Sequence, residues 1–141
     1  MKNLFITSSS KIINKRKVHK LVNILSKELE FNILSLNIIF ISDKEIRELN
    51  KTYLKHDYTT DIITFNYSSD QNNLDGEIVI SLDDAENNAK RYKVHILNEI
   101  GRLIIHGILH LLNYDDKTVS KRKVMKNKEN KLLSSNKFVL L

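Results

Sequence analysis

The chain has 141 residues, which is the length of one ordinary domain with a hydrophobic core of its own, and no second domain is expected. It contains no cysteine, which excludes disulfides and thiolate metal ligands, so any metal site must use histidine and carboxylate side chains. The net charge is +6, and basic residues cluster in 11–20 and 117–131, a distribution that suits a polyanionic partner such as nucleic acid. The same excess of lysine is also expected from an AT-rich genome, so charge alone leaves both explanations open.

The apolar runs are too short for a membrane protein. A transmembrane helix needs roughly 20 consecutive apolar residues, and no run in the chain approaches that length. The N-terminal apolar run at 4–6 is also too short for a signal peptide. We therefore expect a soluble, cytoplasmic protein with no membrane partner.

The apolar pattern predicts strands and helices that alternate along the chain. Short apolar, β-branched runs predict strands at 4–6, 33–41, 61–66 and 76–81. Helical spacing predicts helices over 13–30, from 42 to about 53, from 81 to 92, over 96–112 and over 118–134. Ser42 with Glu45 forms a capping-box pattern, and Ser81 is the expected cap of the helix after it. This order predicts an α+β fold over residues 1–141, with one mixed sheet of about four strands covered by helices.

The predicted helix at 96–112 organises the rest of the chain. It is apolar on almost every side, which is typical of a helix buried in the core. Gly107 lies inside it at a cost of about 1 kcal/mol relative to alanine, so we expect something to pack closely against the backbone there. The polar exceptions share one edge of the helix, which needs a partner: Glu99, Arg102, His106, His110 and Asn113. For the first two we expect a structural ion pair.

His106 and His110 have the spacing of two metal ligands on one helix face. Imidazoles at i and i+4 can direct ring nitrogens at one point, which is half of a zinc site. Asn113 can adopt the left-handed conformation that ends a helix, and the turn after it can bring Asp115 or Asp116 back over the helix end. Two histidines and one carboxylate leave an open position, as in catalytic metal sites. The alternative is a pair of hydrogen-bonded core histidines without a metal.

The string from His106 to Asp116 resembles the HGxLHLxGYDH signature of the YbeY family, bacterial metal-dependent endoribonucleases that mature ribosomal RNA. Asn113 replaces the glycine of the signature, and Asp116 replaces its third histidine. Residues 49–53, 60–65 and 75–81 are similar to the family's LNxxYR, TDVLSF and GDIxIS segments, in the same order. Met125 and Glu129 fit the family's closing helix, so the resemblance covers most of the chain.

This resemblance implies a function and a metal site. It implies one divalent ion, with Zn²⁺ as the first expectation, held by His106, His110 and Asp116. The implied activity is that of a single-strand-specific endoribonuclease in ribosomal RNA maturation, at the 3′ end of the small-subunit RNA, and in ribosome quality control. The implied partners are RNA, ribosomal proteins or other ribosome-associated factors, with no nucleotide cofactor.

Further residues near the implied cleft are candidates for phosphate contact and for catalysis. The family's cleft arginine corresponds to Leu54, so Lys55 or His56 is a candidate replacement for phosphate contact. Asp61 matches the aspartate of the TD segment and is a candidate helper in catalysis. It could equally accept hydrogen bonds from backbone N–H groups at the start of a strand.

Three other functions fit part of the pattern. A zinc protease of the HExxH type needs a glutamate directly after the first histidine, where this chain has Gly107. A non-haem iron oxygenase also uses two histidines and one carboxylate. A non-catalytic RNA-binding or ribosome-assembly factor could use the metal only to stabilise its fold, in a closed site with four protein ligands.

Overall fold

The computed structural model describes residues 2–54, 60–70 and 72–141, and for residue 54 the backbone alone. The strands are β1 (Leu4–Thr7), β2 (Asn32–Ile41), β3 (Ile62–Asn66) and β4 (Asn73–Ser81). The helices are α1 (Lys15–Glu28), α2 (Asp43–Leu49), α3 (Leu82–Tyr92), α4 (Ile96–Leu111) and α5 (Val119–Asn136), with a π-helical segment, Asn50–Leu54, directly after α2. These elements confirm the predicted α+β class.

The four strands form one mixed sheet in the order β1, β2, β4, β3. β1, β2 and β4 run parallel, and β3 runs antiparallel to β4 at the edge. Parallel neighbours need a crossover connection, which α1 supplies between β1 and β2. The sheet therefore mixes both pairings, as the sequence predicts.

The two faces of the sheet are covered unequally. Successive strand residues point to opposite faces, so Ile78 and Ile80 of β4 join the main core, which includes apolar residues of α1 and α4. Val79, between them, joins a small cluster with Ile46 of α2 and Ile63 of β3 on the other face. α4 lies on the main-core side against β3 and β4, with α3 and α5 beside it.

The predicted helix caps are present. Ser42 Oγ accepts a hydrogen bond from the backbone N–H of Glu45 at 3.2 Å, and Ser81 Oγ accepts one from the N–H of Asp84 at 3.2 Å. Asn113 has a φ of 71°, the left-handed conformation predicted for the residue that ends α4.

Two element boundaries were predicted wrongly. β4 begins at Asn73, not at 76, because Asn73 and Leu74 pair with the start of β2. Tyr53, which the sequence places in a continuation of α2, lies instead in the π-helical segment and is 65% exposed. No helix in the described ranges is long and apolar enough to cross a membrane.

Candidate active site

The two histidines predicted as ligands meet on the exposed edge of α4. Their Nε2 atoms are 3.1 Å apart, and their ring centroids are 4.7 Å apart with an interplanar angle of 71°. His106 and His110 are one helical turn apart, so the helix itself sets this approach. Both side chains are partly buried, unlike the apolar residues around them, which are fully buried.

Glu129 of α5 orients the first histidine. Its Oε1 lies 2.6 Å from Nδ1 of His106, and its side chain is 1% exposed. A carboxylate here accepts the Nδ1–H of His106, which leaves Nε2 of that ring with a free lone pair. The Nε2–H of a neutral His110 can then donate to this lone pair. A divalent ion held by both Nε2 atoms would require the other neutral tautomer of His110, with its proton on Nδ1.

The environment favours this arrangement of protons. Burial lowers the pKa of His110, and the neighbouring His106 lowers it further, against the opposite effect of nearby carboxylates. Burial raises the pKa of Glu129, but the hydrogen bond from His106 and the charges of His106, Arg102 and Lys126 outweigh it, so the pKa is lowered overall. A neutral His110 beside an ionised Glu129 presents ring nitrogens that a cation can use.

A buried ionic network extends from Glu129 towards the start of α4. Arg102 donates two hydrogen bonds of 2.7 Å to Glu99, which confirms the predicted ion pair. These bonds raise the pKa of Arg102. The guanidinium also lies 3.5 Å from Glu129 and 3.9 Å from Asp61. Asn88 of α3 donates to both Asp61 and Glu99 at 3.1 Å. The polar residues along one edge of α4 therefore have partners on α3, on α5 and at the residue before β3.

The two aspartates of the turn have different surroundings. Asp115 accepts hydrogen bonds from the backbone N–H of Lys117 at 3.0 Å and from the Lys121 ammonium at 3.3 Å. Asp116 lines a cavity of about 310 Å³ together with His106 and Glu129. The side chain of Asp115 is therefore occupied by its own turn, whereas Asp116 borders the histidine site.

The donor geometry fits half of a metal site. Two nitrogens at about 2.0–2.1 Å from a tetrahedral ion are roughly 3.3 Å apart, close to the 3.1 Å between His106 and His110. The carboxylate behind His106 is the partner that metal-binding histidines commonly have. No group of three or more His, Cys, Asp or Glu side chains in metal-binding proximity occurs within 2–54, 60–70 and 72–141. Asp116, the predicted third ligand, thus borders the cavity but does not complete a set of three in this structure.

Gly107 lies between the two histidines on α4 and faces the sheet. A Cβ atom at this position would lie 2.8 Å from Cγ2 and 3.0 Å from Cδ1 of Ile78, and 3.1 Å from Cδ1 of Ile62. The close packing expected at Gly107 is therefore present, and the sheet is what packs there.

The helper residues divide into two groups. Asp61 lies in the network, paired with Asn88 and near Arg102. Lys55 and His56 lie outside the described residues, and the side chain of Leu54 is likewise not described.

The role of Glu129 was not predicted, although its spacing carries a signal. It follows the buried Met125 by four residues and precedes the buried Leu132 by three, so it falls on the inward edge of a helix rich in lysine. An acidic residue on the buried edge of such a helix indicates a cationic or imidazole partner.

Comparisons with known proteins place the chain in a family. The family model described as Endoribonuclease YbeY matches residues 5–137. The chain is 40% identical over 117 residues to Endoribonuclease YbeY of Cytophaga hutchinsonii, covering 83% of this chain and 82% of that protein. It is 46% identical over 96 residues to Endoribonuclease YbeY of Phocaeicola vulgatus, covering 68% and 69%.

A solved structure agrees with these relatives. The solution structure of TM1509 from Thermotoga maritima matches with a TM-score of 0.68 and 28% identity, over 93% of this chain and 87% of that chain. The fold and the site thus define a protein of the class that hydrolyses RNA within the strand. The chain belongs to the YbeY endoribonuclease family.

Proposed function

We propose that this endoribonuclease acts on ribosomal RNA and depends on one divalent metal ion, with Zn²⁺ as the first candidate. The observation that carries the metal is the pair of Nε2 atoms 3.1 Å apart, backed by a buried carboxylate 2.6 Å from the second nitrogen of His106. His106, His110 and Asp116 are the residues that would hold the ion. When bound, the ion supplies a Lewis acid that can acidify water and polarise a phosphoryl oxygen.

The charge of the buried network supports a cation at this position. Three carboxylates, Asp61, Glu99 and Glu129, face two cationic side chains, Arg102 and Lys126. These side chains together carry one more negative than positive charge, and Glu129 among them contacts His106. A divalent ion at the histidine pair compensates this charge, which is favourable because Glu99 and Glu129 are 2% and 1% exposed.

The chain's own residues position the RNA and the histidine rings. Glu129 holds His106 in one tautomer and one orientation through the 2.6 Å hydrogen bond. Arg122 and Lys126 line the histidine cavity, and both side chains are largely exposed, so they can bind phosphate oxygens of the backbone. Asp61 does not line this cavity. It contacts Arg102 and Asn88, and its effect on the site is therefore indirect.

The alternatives are less well supported. At Gly107 a side chain would point at the sheet, so this position cannot supply the general base that an HExxH protease needs. A non-catalytic factor would be expected to close its metal site with four protein ligands. Here only two ring nitrogens converge among the described residues, and the cavity beside them is open to Asp116 and to basic side chains.

The biological setting forms part of the proposal. Maturation of ribosomal RNA, processing of the 3′ end of the small-subunit RNA and ribosome quality control are the roles that the family resemblance suggests. They imply a cytoplasmic location and contact with ribosomal proteins. The exposed lysines of α5 and of α1 provide the positive charge that such a substrate requires.

The decisive experiment compares the metal content and RNA cleavage of the wild type with those of His110→Ala. The wild type should contain about one divalent ion per chain and should cleave a structured RNA with single-stranded regions, and a chelator should abolish cleavage. His110→Ala should lose metal and cleavage together. His19→Ala, a histidine of α1 outside the network, is the matched control and should keep both. Wild-type metal affinity in His110→Ala would refute the site.

Salt dependence tests the role of the lysines independently. Each phosphate contact releases counterions, so the logarithm of RNA affinity should fall steeply and linearly with the logarithm of salt concentration. Lys126→Ala should make the slope of this log–log plot shallower by about the contribution of one phosphate contact. A flat dependence for the wild type would show that the lysines are solvated residues without a role in RNA binding.

A further inference from the structure

A second cavity lies beside the histidine site and shares two of its residues. It has a volume of about 520 Å³ and is lined by residues at the end of α3, the beginning of α4 and the second half of α5. Arg102 and Lys126 border both this cavity and the histidine cavity. Its size falls within the range of small-molecule pockets, so it can hold a group as large as one nucleotide.

The lining combines an aromatic surface with positive charge. Tyr92, the last residue of α3, is 57% exposed and offers its ring at the cavity wall, with the apolar Val94 and Leu133 also part of the lining. Lys126 and Lys137 also line the cavity, with the Lys126 ammonium 3.2 Å from Glu129 and the Lys137 ammonium 5.0 Å from the centre of the Phe138 ring. Of the described lining residues only Glu99 is acidic, and Arg102 already binds both of its oxygens. An aromatic ring with cations around it is the usual surface for an unpaired base and its phosphates.

Asn98 adds a polar side chain to the lining. Its Oδ1 is buried and has no hydrogen-bond partner among the residues described, so rotation of the amide towards the cavity would give this oxygen access to a donor there. A buried carbonyl oxygen without a donor costs about 1–3 kcal/mol, so such atoms are rare unless something binds to them. The N–H groups of a nucleobase are suitable donors.

We infer that this cavity binds one nucleotide of the RNA substrate next to the cleavage position. The base stacks on Tyr92, the amide of Asn98 turns towards the cavity and accepts a hydrogen bond from the base, and Lys126 and Lys137 bind the flanking phosphates. Asn98 lies two helical turns before His106 on α4, about 12 Å along the axis, a distance that a short single strand can bridge. This inference rests on the proposed function, because it assigns a substrate-binding role to the neighbourhood of the same site.

The test measures binding of a fluorescein-labelled single-stranded oligoribonucleotide by anisotropy, in chelator so that the RNA stays intact. Loss of one stacked base is worth about 1–3 kcal/mol, so Tyr92→Ala should weaken binding about tenfold. Tyr92→Phe keeps the ring and should bind like the wild type. Tyr67→Ala removes a tyrosine of similar exposure, 60%, from the region after β3 and should have no effect.

Two further variants test the polar contacts. Asn98→Ala should weaken binding about fivefold without loss of stability, because the removed oxygen has no partner within the described chain. Lys137→Ala should weaken binding and lower its salt dependence, whereas Lys27→Ala, an exposed lysine at the end of α1, should do so much less.

The outcomes separate this inference from the proposed function. If the wild type cleaves RNA and Tyr92→Ala binds and cleaves like Tyr67→Ala, the subsite is wrong and the proposed function stands. If the wild type proves unable to cleave RNA but Tyr92→Ala still loses affinity while Tyr92→Phe keeps it, the subsite stands and the proposed function fails. An equal loss in Tyr92→Ala and Tyr92→Phe would overturn the stacking role.

Discussion

One side of α4 faces the sheet and the other faces α5, and the two sides resist change for opposite reasons. On the sheet side Gly107 leaves no room, because Ile78 and Ile62 lie where a side chain would begin. On the α5 side the residues are charged and each depends on a partner: Glu99 on Arg102, and His106 on Glu129. The first side is limited by volume and the second by charge, so each can be broken separately.

The largest effect is expected from Glu129→Ala. This change removes the carboxylate that contacts His106, Arg102 and Lys126 together. His106 then loses the acceptor of its Nδ1–H, and among the described residues the partly buried Arg102 keeps only Glu99 and the more distant Asp61. Breaking such a buried pair costs about 3–5 kcal/mol, which urea unfolding would measure. Glu129→Gln keeps the shape and one acceptor, so it should lose less stability. A loss below about 1 kcal/mol in the alanine variant would show that the network does not stabilise the fold.

Gly107→Ala tests the packed side. The new methyl group would lie 2.8 Å from Cγ2 of Ile78, and overpacking of this kind costs about 1–3 kcal/mol. Alanine's better helix propensity returns about 1 kcal/mol, so we expect a net loss of up to about 2 kcal/mol in thermal or urea unfolding. The histidine pair should still bind metal, since the new methyl group would point at Ile78 and Ile62 and not at the ring nitrogens. Stability equal to the wild type would mean that the sheet can move away from α4.

The ligand role of Asp116 is tested against that of Asp115. Asp116 borders the cavity beside His106, whereas Asp115 is held by Lys117 and Lys121. Asp116→Ala should weaken metal affinity by about tenfold or more, and Asp115→Ala should weaken it much less. Competition with a metal-binding dye measures both. A larger loss in the Asp115 variant would assign the ligand role to Asp115. Asp116→His should retain the ion.

The smallest effect, with the opposite sign, is expected from Gly101→Ala. A Cβ there would lie 3.6 Å from Cδ1 of Leu140 and 3.7 Å from Cδ1 of Leu133, which is ordinary van der Waals contact. Because alanine favours the helix, this variant should be more stable than the wild type by up to about 1 kcal/mol. Comparison with Gly107→Ala on the same helix separates packing from helix propensity. Destabilisation by both variants would show that backbone flexibility of α4 contributes to stability.

Local patterns were sufficient to predict most of the elements and half of the site. The spacing of apolar residues identified α4, and Ser42, Ser81 and Asn113 end or begin helices as their side chains require. The approach of His106 and His110 also followed from sequence, since one helical turn separates them. These features depend on neighbours within about four residues, which is the range that a sequence pattern encodes directly.

The tertiary structure decided the order of the strands, the early start of β4 and the assembly around Arg102. Glu129 is 23 residues from His106, and Asp61 and Asn88 reach the network from the residue before β3 and from α3. Such contacts depend on how α5 and the sheet pack against α4, and no spacing rule connects residues so far apart in the chain. The sequence alone determined which residues could bind a metal and RNA. Only packing between distant elements decided which carboxylate orients the histidine and which groups surround it.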